Sequence, residues 1–270
     1  MGPLGEATLL GILQGLTEFL PVSSSGHLSL AALVFQMGTG GLGLYVMLHG
    51  GTFLATLIVL WERITPVVKE GVAGLFQPRR FTSTNAGRDA LAVLIATLPT
   101  GVVGILLRGP VERFTASPTA LGLGFLATTL LLVSTRWIKF GEAPSLSGWG
   151  ALLVGIAQGL AVFPGVSRSG ATIAAALWLG VRKDRAFELS MLVSLPAVLG
   201  AVALELPRVV PETLLLGPAA VGAAVAFACG VAALVVLKKA VIQGRFAWFA
   251  LWVGPLALAT LAMAKAWPAR

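Results

Sequence analysis

Two stretches of this chain, 144 residues apart, decide how it is read: Gly11-Ile-Leu-Gln-Gly-Leu-Thr-Glu-Phe-Leu-Pro-Val-Ser-Ser-Ser-Gly26 and Gly155-Ile-Ala-Gln-Gly-Leu-Ala-Val-Phe-Pro-Gly-Val-Ser-Arg-Ser-Gly170. They align without a gap, and 10 of the 16 positions are identical. Each begins as an apolar helix. Each is then interrupted by a Pro, which lacks the N–H a helix needs, and by serines of the kind that cap a new helix. The first lies in an apolar segment, Leu4–Met37, broken at Pro21–Gly26; the second lies in Trp149–Gly180, broken at Phe163–Gly170. Each break leaves about 15 residues on either side, and at about 1.5 Å per residue such half-helices are too short to cross a bilayer alone.

Composition agrees. Of 270 residues, 57% are hydrophobic and 11% charged, against about 45–50% and about 25% in soluble domains. The mean hydropathy is +0.92. These values exclude a soluble enzyme, a disordered chain and a nucleic-acid-binding domain. Six further stretches are long and apolar enough to span: Leu42–Trp61, Asp89–Leu107, Pro118–Thr135, Phe187–Leu206, Pro218–Leu237 and Phe246–Ala264. The expected fold is an all-α integral membrane protein, one polytopic domain over residues 1–270. It has six transmembrane helices and two re-entrant helix-loop-helix hairpins. Cys229, the single cysteine, excludes an intramolecular disulfide and a Cys-based metal site and reads as a small core residue. The start, Met1-Gly2-Pro3, has neither a signal-peptide pattern nor a myristoylation signal. The one long polar stretch, Pro78–Arg88, reads as a loop.

The net charge of +8 is a topology signal. Suppose both broken segments return to the side they enter from. One face then collects Arg63, Lys69, Arg79, Arg80, Arg88, Arg136, Lys139, Arg182, Lys183, Arg185, Lys238, Lys239 and Arg245, thirteen in all. The other collects five, Arg108, Arg113, Arg208, Lys265 and Arg270, and Arg168 belongs to neither. Excess Lys and Arg mark the inner side, so both termini are expected outside. Trp61, Trp137, Trp149 and Trp248 fall near inner-face ends, as interfacial anchors do. Three spans separate the two copies, and an odd number reverses the side of entry. The halves, about 1–135 and about 145–270, thus form an inverted-topology repeat, with Met47-Leu48 matching Met191-Leu192 at the same offset. Such repeats bring broken helices together near the midplane. Irregular backbone persists there only when buried in protein or lining a wet cavity. The two tips should face each other and form one site.

The first tip carries Gln14 and Glu18, four apart on one helical face. Ser23, Ser24, Ser25 and Gly26 follow at the start of the second half-helix, with His27 three residues after Ser24. A helix N-terminus has unpaired N–H groups and the positive end of the dipole, which together make an anion site. Ser24, His27 and Glu18 bring a hydroxyl, an imidazole and a carboxylate into one neighbourhood. The second tip offers Ser167, Arg168, Ser169 and Gly170: another helix N-terminus, with a guanidinium where the first copy has Ser24. A charge within the membrane is costly, and the Arg fork suits bidentate phosphate recognition. Two N-termini and one Arg describe a site for a mono- or diphosphate. Plainer roles stand beside these. The serines could be caps alone, Glu18 a proton relay, and Arg168 a structural partner of Glu18. Gln14 could be a helix–helix hydrogen bond like its repeat mate Gln158, and His49 either a packing residue or a supporting member of the site.

At these residues the sequence resembles the undecaprenyl pyrophosphate phosphatase, or bacitracin-resistance, family, over essentially the whole chain. The resemblance rests on Gln14-Gly-Leu-Thr-Glu-Phe-Leu-Pro-Val-Ser-Ser-Ser-Gly-His27 and Phe163-Pro-Gly-Val-Ser-Arg-Ser-Gly-Ala-Thr172. It implies a multi-pass hydrolase of the bacterial inner (plasma) membrane. That enzyme removes the terminal phosphate of a polyprenyl diphosphate lipid, undecaprenyl diphosphate, and so recycles the carrier for cell-wall synthesis. It also implies an active site opening to the periplasmic face and a supporting divalent cation, Mg²⁺ or Ca²⁺. By position, the acidic motif that would hold the metal falls on Gln14 and Glu18, the Ser-His pair on Ser24 and His27, and the phosphate-binding Arg on Arg168 beside Ser167. Ser23, Ser25, Gly26, Ser169 and Gly170 would complete the phosphate-binding tips. The first motif position is often Glu in the family; Gln14 removes one carboxylate from a metal cage. Tyr45 stands where some members carry an acid.

The chemistry so implied is attack by Ser24 on the terminal phosphorus, with His27, supported by Glu18, taking its proton. The variant is attack by His27 itself, with Ser24 orienting phosphate. The competing class is a transporter or flippase of a phosphorylated polyprenyl lipid, since inverted repeats with broken helices serve carriers. A hydroxyl beside a base favours chemistry. The expected partners are the lipid substrate and the bilayer; a homodimer is compatible with the sequence, and nucleic acid is not expected.

Overall fold

In the computed structural model, which describes residues 2–35, 41–115, 117–205 and 216–266, every regular element is a helix, with one backbone bridge between Ala143 and Val181. The order is α1 (Pro3–Phe19), α2 (Ser24–Phe35), α3 (Gly41–Val59), α4 (Trp61–Phe76), α5 (Arg80–Ser83), α6 (Asn85–Thr115), α7 (Pro118–Ser134), α8 (Gly148–Leu160), α9 (Arg168–Trp178), α10 (Lys183–Glu205), α11 (Leu216–Ile242) and α12 (Ala250–Ala266). Met37, Leu206, Arg208 and Arg270, which figured in the expected spans and charge asymmetry, lie outside the described residues.

The breaks follow local chemistry. Pro3 sits in the first turn of α1, where its missing N–H is no loss. Pro21 keeps α1 from continuing beyond Phe19. The caps of α7, α8 and α9 are Ser117, Ser147 and Ser167, whose hydroxyls accept from Ala120, Gly150 and Gly170 N–H.

Among the described residues five helical stretches are long and apolar enough to cross a membrane: Asn85–Leu107, Pro118–Trp137, Lys183–Glu205, Leu216–Ile242 and Phe246–Lys265. The count is six if Gly43–Val59 and Trp61–Phe76 of α3 and α4, bent by 88°, are taken as one span. The expected span Leu42–Trp61 therefore stops at Val59. The chain then turns into amphipathic α4, whose Val68, Val72, Leu75 and Phe76 are exposed. The stretch Pro78–Arg88 is not the loop its polarity suggested. It holds α5 and the first turn of α6, where the Thr84 hydroxyl accepts from Gly87 N–H at 2.9 Å. Trp61, Trp137, Trp149 and Trp248 are all exposed.

Several helix pairs approach closely, and two of these contacts are related by the repeat. In α1 against α11, a Cβ on Gly11 would lie 2.5 Å from the Gly222 carbonyl oxygen, and one on Gly15 would lie 2.6 Å from that of Ala226. In α8 against α6, a Cβ on Gly155 would lie 2.3 Å from the Ala96 carbonyl oxygen, and one on Gly159 would lie 2.7 Å from Val103 Cβ. Only small residues let backbones come this close. Gly11 matches Gly155 and Gly15 matches Gly159 in the repeat, and each pair packs its helix against a helix of the other half. Cys229 is half-buried at the α1–α11 contact.

α7 packs along α12 and touches both α2 and α9. Its Phe125, fully buried, supports both tips: a Cβ on Gly26 would lie 2.7 Å from the Phe125 ring, and one on Gly165 would lie 2.8 Å from Phe125 N. Where α4, α6 and α10 begin, a buried ionic cluster joins them. Arg185 pairs with Asp89 and Glu188, Arg63 reaches Glu188 at 2.9 Å, and Ser145 donates to Asp89 at 2.9 Å. Breaking a buried pair from one side leaves an uncompensated charge, so this cluster fixes the relative seating of the three helices.

Candidate active site

The two tips meet. A Cβ on Gly26 would come within 2.8 Å of Gly165 Cα, and one on Gly170 within 3.5 Å of Pro21 Cβ. Across this contact Glu18, at the end of α1, forms an ion pair with Arg168, the first residue of α9. Glu18 Oε1 takes the guanidinium, while Oε2 accepts from Gln14 Nε2 at 3.0 Å and from Ser24 Oγ at 2.6 Å. One carboxylate thus ties the hydroxyl of the first tip to the cation of the second. The Glu18 side chain is 5% exposed and that of Arg168 26%, so the guanidinium keeps one side open while its partner is enclosed. The structural-partner role of Arg168 and an anion-binding role are compatible, because a guanidinium has five N–H donors.

The tips are capped alike. Ser23 Oγ accepts from Gly26 N–H at 3.3 Å, and Ser167 Oγ from Gly170 N–H at 3.0 Å. Ser23 lies 3.4 Å from Ser25, and Ser167 lies 3.2 Å from Ser169, hydroxyl to hydroxyl. The caps consume the Gly26 and Gly170 N–H groups. Those of Ser24, Ser25, Arg168 and Ser169 have no partner among the described residues.

These groups border a cavity of about 870 Å³. Its polar end is formed by Thr17, Glu18, Ser23, Ser24, Ser25, Tyr45, His49, Ser167 and Arg168. The rest of the lining is mostly apolar, from Leu28, Ala32 and Leu33 of α2, Val46 of α3, Ala161, Val162 and Val166 between α8 and α9, and Ala197, Val198, Ala201 and Val202 of α10, with Ser29 and Glu205 the polar exceptions. A charged head and a hydrocarbon tail would both find a matching surface there.

The structure places the expected residues unequally. Ser23, Ser24, Ser25, Ser167, Arg168 and Glu18 line the cavity; Gly26, Ser169 and Gly170 do not. The physical reason for the two glycines is the cap, which takes the N–H that an anion would have used. His27 is not brought to Ser24. It lies outside the cavity lining, with Nδ1 2.9 Å from the Ser23 carbonyl oxygen and Nε2 accepting from Trp252 Nε1 at 3.1 Å. His49, by contrast, is a cavity residue whose Nδ1 lies 2.9 Å from the Tyr45 carbonyl oxygen. Gln14 orients Glu18, whereas Gln158 joins helices by donating to Thr100 Oγ1 at 3.1 Å and to the Val193 carbonyl at 3.2 Å.

Two supporting residues escaped the sequence reading. Thr128 of α7 donates to the Gly165 carbonyl at 2.7 Å and accepts from Ser167 N–H at 2.9 Å, so one buried hydroxyl pins the second tip. Its signal was a polar residue within an apolar span. Trp252, on α12, gave no local signal.

Among the described residues no three His, Cys, Asp or Glu side chains gather as a metal cage. Two carboxylates line the cavity, Glu18 and Glu205, and Glu18 is the one paired with Arg168 across the two tips. The side-chain amide oxygen Oε1 of Gln14 is fully buried and has no hydrogen-bond partner among the described residues. Of Gln14 and Glu18 only Glu18 lines the cavity, so a hard cation there would take most of its ligands from phosphate oxygens and water.

Fold and site together describe a multi-pass helical membrane protein whose two tips border one mostly apolar cavity beside a Glu18–Arg168 ion pair. The chain belongs to the BacA bacitracin resistance protein family, whose model matches residues 7–259. It is 38% identical over 269 residues to the undecaprenyl-diphosphatase of Salinibacter ruber, covering 94% of this chain and 97% of that protein. It is 40% identical over 262 residues to the undecaprenyl-diphosphatase of Desulfatibacillum aliphaticivorans, covering 91% and 93%. The undecaprenyl-diphosphatase of Korarchaeum cryptofilum is 37% identical over 264 residues, covering 96% and 99%.

Proposed function

We propose that this protein is an integral membrane phosphatase that hydrolyses undecaprenyl diphosphate to undecaprenyl phosphate and inorganic phosphate. The observation that carries the reading is the Ser24–Glu18–Arg168 chain bordering a mostly apolar cavity. Near full-length similarity to undecaprenyl-diphosphatases supports it.

The terminal phosphate enters between the two tips, where Arg168 and the free N–H groups of Ser24, Ser25 and Arg168 hold its oxygens. The apolar walls of α2 and α10 take the first prenyl units. Ser24 Oγ attacks the terminal phosphorus and gives its proton to Glu18 Oε2, already its hydrogen-bond acceptor. The bond to the bridging oxygen breaks, and undecaprenyl phosphate leaves with the proton that Glu18 had taken. Water then attacks the phosphoserine and gives a proton to the freed Glu18 carboxylate, which returns it to Ser24 Oγ as the Ser24–phosphorus bond breaks and inorganic phosphate departs. Little of this is covalent work for the protein; positioning and fixed positive charge carry most of the acceleration. Gln14 and Glu18 are the residues that would hold a divalent cation, which would neutralise diphosphate charge.

In this reading the two halves form an inverted-topology repeat with re-entrant tips, and the site faces outward. Support comes from the sequence repeat, the matched caps and the reciprocal packing of α1 on α11 and α8 on α6. The test is phosphate release from undecaprenyl diphosphate by detergent-solubilised protein, wild type beside Arg168→Ala, with and without EDTA. Release by wild type that is lost in the variant supports the proposal, and loss with EDTA adds the metal. No release from folded wild type supplied with Mg²⁺ or Ca²⁺ makes a carrier the better reading.

A further inference from the structure

We infer that His27 and Trp252 act as positioning residues, a relay that holds the strained turn at Ser23 and thereby presents Ser24 to Glu18. The inference rests on the reading of Ser24 as nucleophile and goes beyond it. Ser23 is the one non-glycine residue with positive φ among the described residues, at +70°. That conformation is unfavourable for a residue with a side chain and persists only when the surroundings enforce it. Here the enforcement is visible. The Ser23 carbonyl receives the His27 backbone N–H at 3.1 Å, and His27 Nδ1 lies 2.9 Å from the same oxygen. A carbonyl oxygen can only accept, so Nδ1 carries the proton.

The other ring nitrogen explains how that tautomer is kept. Trp252 Nε1 can only donate, so His27 Nε2 must be bare to accept it, 3.1 Å away. Phe125 meets the imidazole edge to face, with ring centroids 5.3 Å apart, and fixes its plane. Trp252 is 62% exposed, so the indole turns a largely open ring outward and its N–H inward. Both nitrogens are thereby committed to structure, and neither reaches the Ser24 hydroxyl. The relay runs from α12 through His27 to the residue immediately before the nucleophile.

The test is steady-state phosphate release from undecaprenyl diphosphate in detergent. His27→Ala should lower kcat about 10- to 100-fold, the population factor commanded by backbone strain of this kind, with KM little changed. His27→Asn, whose amide keeps a donor near the Nδ1 position, should recover most of that loss. His27→Gln, with its amide near the Nε2 position, should not. Trp252→Phe should lower kcat by a smaller factor in the same sense. In a Ser23→Gly background, where glycine accepts positive φ freely, the His27→Ala loss should shrink to within about threefold, since no strain of this kind remains to be held. Should His27→Ala not fold, the Asn and Gln variants make the same comparison. Ser24→Ala, run alongside, separates the two claims: retained turnover there overturns the underlying reading of the site. An inactive Ser24→Ala with His27→Asn as impaired as His27→Ala, or an equal His27→Ala loss in both backgrounds, overturns the relay alone.

Discussion

The two tips begin from nearly the same sequence and end with different chemistry. Both use a serine to cap a helix through the N–H three residues on, and both set a second serine beside the cap. The second tip makes its reversal at Gly165, φ +88°, where glycine costs little, and leaves Ser167 in ordinary extended backbone at φ −81°. The first tip makes its reversal at Ser23, which has a side chain and is strained. One position later the copies diverge completely: Ser24 in one, Arg168 in the other, joined through Glu18. Two helix starts capped alike thus carry different side chains: in the proposed reading one supplies the nucleophile and base and the other a fixed charge, and the strained residue directly precedes the proposed nucleophile.

That comparison can be broken at several points. Ser24→Ala removes the nucleophile and should lower phosphate release by about 10³-fold or more, as loss of a residue that works in a unit does. Arg168→Ala, one repeat away, should lower it about 10²- to 10³-fold by removing a preorganised charge. Arg168→Lys should recover little, because an ammonium lacks the planar fork. Next come the reversals, read by thermal unfolding in detergent. Gly165→Ala should destabilise by about 2–3 kcal/mol, from the left-handed backbone and a Cβ driven to 2.5 Å from the Leu121 carbonyl oxygen. Ser23→Gly should leave stability within about 0.5 kcal/mol, the lost cap being offset by relief of strain. Thr128→Val should cost about 1–3 kcal/mol, because it orphans the buried Ser167 N–H and Gly165 carbonyl. Ser167→Ala, the loss of a cap in unstrained backbone, should cost about 1 kcal/mol.

How much could be read beforehand follows from the range of each signal. The helix breaks were legible because Pro21, Pro164 and the serines act on their immediate neighbours. The Gly11/Gly15 and Gly155/Gly159 spacings also stand in the sequence as close-approach signals, though which helix each would meet does not. The Glu18–Arg168 pair was legible through the repeat, which places two broken helices at one site. The direction of the His27 ring was not. Spacing of three residues puts Ser24 and His27 on one side of a helix turn, but the hydrogen bonds that turn the imidazole away come from the Ser23 carbonyl and from Trp252, 225 residues distant. The use of Gly26 and Gly170 N–H by caps was equally hidden, since a capping serine and a phosphate compete for the same donors. Pro78–Arg88 misled because its polarity suggests a loop, while Thr84 and Asn85 start α6.

The central claim is that Ser24 does the covalent work while His27 holds it in place. The direct measurement is to quench the reaction with undecaprenyl diphosphate labelled in its terminal phosphate and to map the labelled residue by mass spectrometry under conditions that preserve both phosphoserine and phosphohistidine. The account predicts label on Ser24, absent in Ser24→Ala and present in His27→Asn. Label on His27 would contradict it.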